Sequence, residues 1–130
     1  MNPRNKWLKI AGVVLHVLIA AFVMFAGASK VFGLIPQEQL AQLGQPLRDQ
    51  LLLIGVGEMI AAVLLVLPWT SPLGTLVMSG FWGGVISFHL LGDNDIVTGI
   101  VMLSLTWIAA FLRGSVPLLA VKPTPARQSA

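Results

Sequence analysis

Three ionisable side chains stand where an otherwise apolar chain should carry none. Glu58 lies inside the stretch Leu51 to Leu67, Lys30 follows the stretch Ile10 to Ala28, and His89 lies near the end of Leu73 to Leu91. A carboxylate, an ammonium and an imidazole can exchange protons with a ligand or hold its polar head in place. The same residues also admit plainer accounts: a buried ion pair that fixes helix docking, a histidine meeting lipid head groups, a lysine snorkelling outward. His16, alone in the first half of its stretch, reads as a packed or capped polar residue. Cysteine is absent, which removes disulfides, thiolate nucleophiles, iron–sulfur ligation and CxxC exchange. No phosphate loop, nucleophile triad or clustered metal-ligand spacing occurs, so no metal site is expected. Any redox role would need a bound cofactor or substrate.

The elements that must position these groups follow from composition. Of the 130 residues, 56% are hydrophobic and 10% charged, against about 25% charged in soluble domains. So few charges cannot cover a water-facing surface, and lipid is the expected solvent. Four apolar stretches, about 10–28, 51–67, 73–91 and 96–112, are each close to the roughly 20 residues that cross a bilayer core. Backbone polar groups in lipid must be satisfied within the segment, which leaves helices. The expected fold is therefore all-α: a membrane-embedded four-helix bundle, antiparallel and up-down-up-down, over residues 1–121. Residues 122–130, Lys122-Pro123-Thr124-Pro125 onward, have no apolar pattern and read as a disordered cytoplasmic tail.

Six basic residues flank the two ends: Arg4, Lys6 and Lys9 before the first helix, Arg113, Lys122 and Arg127 after the fourth. Only Lys30 and Arg48 lie on the other side. The positive-inside rule places both termini in the cytoplasm of a cell (inner) membrane, with Trp7 and Trp69 at the same boundary. The basic residues are split between the ends and form no run interleaved with aromatics, so nucleic acid is not an expected partner. The first stretch also has features of a cleavable signal, but it exceeds the roughly 7–15 apolar residues of such signals. Between Phe32 and Gln50, Pro36 to Leu43 could form a short amphipathic helix on the outer surface with Leu40 and Leu43 facing the membrane or the bundle, ended by Gly44-Gln45-Pro46; a solvated loop is the alternative.

Side chains lean toward the N-terminus of their own helix. With alternating helix directions, Lys30 and His89 lean inward and Glu58 leans outward. The three are thus expected to form one polar cluster in the outer half of the bundle. On an ideal helix His89 points away from the Gly80/Gly84 face. Gly80 and Gly84 at GxxxG spacing, with Gly83 beside them, and Gly57 with Ala61 are the expected packing seams, since small residues let backbones approach in lipid.

A resemblance to a known family rests on these segments. Phe25-Ala26-Gly27-Ala28-Ser29-Lys30 with Phe32-Gly33 resembles the end of the first helix in the DoxX-like family. Gly55-Val56-Gly57-Glu58-Met59-Ile60-Ala61-Ala62 resembles its second-helix motif, Gly83-Gly84 with His89-Leu90 its third, and Gly92-Asp93 the turn after it. The likeness extends from Trp7 to Arg113. It implies a small four-helix membrane protein, in a family named after a subunit of a thiosulfate:quinone oxidoreductase. The related vitamin K epoxide reductases use a CxxC pair, which this chain lacks. Lys30, Glu58 and His89 are the matching polar positions, and the resemblance marks them as a site without fixing a reaction.

Three function classes remain open. One is a redox-associated, quinone-linked subunit, with membrane redox-complex partners, in which Glu58 and His89 exchange protons with a quinone head group. Another is a structural or assembly partner of a larger complex, without catalysis. The third is a small carrier or proton pathway acting as a homo-oligomer, for which His16 is the inner candidate. No cofactor motif is evident, and quinone is the cofactor the first class would need. A pocket beside Glu58 would favour the first, a dry and fully paired cluster the second, a polar path to both faces the third. The topology itself is testable. Of single cysteines introduced at Thr70 and Asn94, an impermeant thiol reagent on intact cells should label Asn94 alone; labelling of Thr70 alone would reverse the orientation.

Overall fold

The computed structural model describes residues 3–92 and 94–116. The tail expected at 122–130 lies outside them, as does Asp93. Every regular element described is helical: α1 Pro3–Val31, α2 Gln37–Gln42, α3 Gln45–Asp49, α4 Leu51–Val66, α5 Ser71–Leu91 and α6 Val97–Arg113. The boundaries follow local chemistry. Leu67, before Pro68, is extended, because proline disfavours helical backbone in the residue before it. Pro72 occupies the first turn of α5, where a missing N–H costs nothing. Gly114, at φ 74°, closes α6 in the left-handed conformation, which glycine adopts without a steric penalty.

The long helices coincide with the four apolar stretches, but α1 begins earlier and carries Lys6 and Lys9 on its first turns. Asn5–Val31 and Ser71–Leu91 are long and apolar enough to cross a membrane; Leu51–Val66 and Val97–Arg113 are apolar but shorter. At 1.5 Å per residue the shorter two extend about 25 Å. The connection after α1 holds two short helices where the sequence suggests at most one. The expected stop at Gly44 is the N-cap of α3, and the Arg48 Nε donates to the Leu40 carbonyl, tying α3 to α2.

α1 packs on α4 and α6, and α5 packs on the same two, so the long helices close into a ring. Its core joins Ile19, Ala20 and Val23 to Ala61, Ala62, Leu65, Met78 and Trp82, with Met102, Leu103 and Leu105 against them. Outside, Phe25, Leu53, Trp69, Leu91 and Phe111 are each more than 70% exposed. Apolar surface on this scale calls for a neighbour other than water.

The seams are not the expected ones. A Cβ at Gly27 would lie 2.7 Å from the Gly55 carbonyl oxygen, and one at Gly74 would lie 2.5 Å from the Leu64 backbone. At Gly57, Gly80, Gly83 and Gly84 an added Cβ meets nothing within 4 Å. Ala61, by contrast, is buried in the core. Gly55 and Gly57 are two residues apart, about 200° of helix rotation, so only one of them can face α1. Gly80 and Gly84 line an open cavity instead of a helix contact. Gly74→Ala should therefore lower stability in detergent by about 2 kcal/mol, while Gly84→Leu should melt close to the wild type. A large loss of melting temperature in Gly84→Leu, followed by circular dichroism, would place a helix against that face.

Candidate functional site

A close backbone approach between α1 and α4 sets up the site. Gly27 and Gly55 bring the two helices together, and one turn further along each lie Lys30 and Glu58. The Lys30 Nζ donates to both carboxylate oxygens of Glu58, 2.9 Å to Oε1 and 2.7 Å to Oε2. Its third N–H is directed to the Ala26 carbonyl at 3.3 Å. Glu58 is 3% exposed and Lys30 22%. A buried carboxylate without such a partner would be strongly destabilising, so the pair ties α1 to α4 as well as carrying charge.

His89 stands apart from this pair. Its Nδ1 lies 2.7 Å from the Asp95 backbone oxygen, while the Asp95 carboxylate accepts the Val97 N–H at 2.9 Å. The helix that carries His89, α5, packs on α4 and α6. The expected three-residue cluster therefore divides into a bonded Lys30–Glu58 pair and a histidine held by the turn before α6.

What the three residues share is a cavity of about 1400 Å³. Phe22, Phe25 and Lys30 of α1, Ile54 and Glu58 of α4, and Gly80, Gly84, Phe88 and His89 of α5 line it, and Thr98 of α6 reaches it. Gln39, Gln42 and Leu43 from α2 and its end, with Leu47 from α3, complete the wall. Ligand pockets usually span roughly 300–1000 Å³ and combine apolar and aromatic walls with a few polar groups. This one has that mixture and is larger. Among the described residues no three His, Asp or Glu side chains cluster to hold a metal ion.

A second polar cluster occupies the other end of the bundle. His16 is fully buried, with Nε2 3.1 Å from the Thr106 carbonyl oxygen and Nδ1 3.3 Å from the Arg113 Nη1. A carbonyl only accepts and a guanidinium only donates, which puts the ring proton on Nε2. Arg113 also donates to the Leu65 carbonyl at 2.9 Å, the Ser71 Oγ at 3.1 Å and the Val66 carbonyl at 2.9 Å. Leu65 and Val66 end α4, where carbonyls have no partner within the helix. Arg113 is thus the C-terminal cap of α4, supplied by α6. Sequence reasoning counted it only as a flanking charge. The signal that could have found it is Pro68, which breaks α4 and leaves those carbonyls open.

The DoxX-like family model matches residues 14–112, a span that contains Lys30, Glu58 and His89. No curated protein and no solved structure matches the chain.

The ion pair can be weighed directly. Lys30→Met should destabilise the protein in detergent by about 3 kcal/mol, because it strands a buried carboxylate, and should cost much less in a Glu58→Gln background. A double-mutant cycle on unfolding free energy measures the coupling. Additive effects would mean that the two side chains do not depend on each other.

Proposed function

The chain belongs to the DoxX-like family, and on that premise we propose that it is a quinone-linked, redox-associated subunit of the cell (inner) membrane. Four helices span the bilayer in alternating directions, both termini are cytoplasmic, and the cavity lies in the outer half. A ring-type head group enters that cavity between the phenylalanines and meets Glu58 and His89, which exchange protons with it. With no cysteine in the chain, electrons come from the ligand or from partner subunits of a membrane redox complex.

The observation that carries this reading is the placement of a buried Lys30–Glu58 pair on the wall of a cavity of about 1400 Å³. A pair serving helix docking alone would not need that space beside it. A carrier would have to open the apolar layer of Val23, Ala62, Met78 and Trp82, which gives that class less support. Purified protein should bind a short-chain benzoquinone or its reduced form, followed by equilibrium dialysis in detergent. Glu58→Gln and Gly84→Leu should each weaken binding about tenfold or more, roughly the loss of one charged hydrogen bond or of the room for the ring. If neither the quinone nor the quinol binds the wild type, the quinone reading fails.

A further inference from the structure

We infer that the cavity selects hydrogen-bond donors, and so takes the hydroxyl-bearing form of a ring-type lipophile, a quinol or phenol, over a form that offers only carbonyls. The inference rests on the reading of the cavity as a ligand site and adds a preference to it.

Lys30 has three N–H donors, and they are directed to Glu58 Oε1, Glu58 Oε2 and the Ala26 carbonyl. The Ser29 hydroxyl, also on the wall, donates to the Phe25 carbonyl at 2.8 Å. The Asp95 carbonyl facing His89 Nδ1 can only accept, so Nδ1 carries the proton. In its neutral form the ring then offers the lone pair of Nε2, for which the described residues provide no partner. Glu58, as a carboxylate, only accepts. Three polar side chains on the long helices, Ser29, Glu58 and His89, therefore turn acceptors toward a ligand, and Lys30 has no donor left to offer. A ligand carbonyl would meet lone pairs there, and a hydroxyl would find a partner. Gln39, Gln42, Asn94 and Thr98 carry donors and acceptors alike and do not discriminate. The phenylalanines favour an aromatic ring over an aliphatic alcohol.

The probes are 4-nonylphenol and its methyl ether, which differ in one O–H and need no redox control. Equilibrium dialysis against the purified protein in detergent should show the phenol bound about tenfold more tightly, roughly one hydrogen bond. The Gly84→Leu protein serves as the control for partition into micelles. His89→Phe should bring the ratio to within about threefold, and His89→Gln, which keeps an acceptor, should restore part of it. Equal binding of the two probes to the wild type would overturn the inference and leave the ligand site standing. An undiminished ratio in His89→Phe would overturn the assignment of the acceptor wall. Binding of neither probe would overturn both the ligand site and the preference.

Discussion

A carboxylate inside an apolar helix constrains everything around it. Glu58 is almost wholly removed from solvent, and a charge in such a place is stable only with a partner of opposite sign and well-formed hydrogen bonds. Lys30 supplies both, but only because the backbones of α1 and α4 approach closely enough for the ammonium to reach both oxygens. That approach depends in turn on Gly27 and Gly55, where a single Cβ would collide with the opposing backbone or its first side-chain atoms. Two glycines, a lysine and a glutamate thus act as one unit. The rest of the bundle is arranged around the axis that unit fixes.

The two ends of the bundle treat polarity in different ways. Around His16 and Arg113 the donors and acceptors are matched, and the guanidinium fork joins the end of α4, the start of α5 and the first helix. A planar group with several fixed donors suits this task, where a lysine would offer a single point of charge. At the other end the Lys30–Glu58 pair is satisfied but borders open volume, and His89 uses only one ring nitrogen. One end is closed by its hydrogen bonds; the other keeps acceptors available. The buried indole nitrogen of Trp82, which has no partner among the described residues, lies in the apolar layer between the two.

Glycine separates these roles within a single helix. Gly74 sits where α5 touches α4 and leaves no room for a side chain. Gly80 and Gly84, two and three turns further on, face the cavity and keep its wall flat. The same residue type permits contact in one place and preserves space in the other. The difference lies in what stands opposite each position.

Much of this protein is legible in its sequence. Hydropathy marks the four long helices, all but the N-terminal seven residues of α1 to within three residues, because a helix must satisfy its own backbone wherever water is scarce. Pro68, Pro72 and Gly114 mark their ends through steric rules that act within one or two residues. Glu58 and Lys30 stand out because charge is costly in apolar surroundings wherever the chain folds. Other features needed the tertiary structure. Spacing shows that Gly80 and Gly84 share a face, but not that the face borders a cavity. It does not choose between Gly55 and Gly57 as the residue against α1. His89 shares the cavity of Lys30 and Glu58 but bonds to the turn before α6, and Arg113 caps a helix more than forty residues earlier in the chain. Periodicity is a property of one helix, whereas seams, cavities and caps depend on which helix stands opposite. That choice is made by packing among all the helices together.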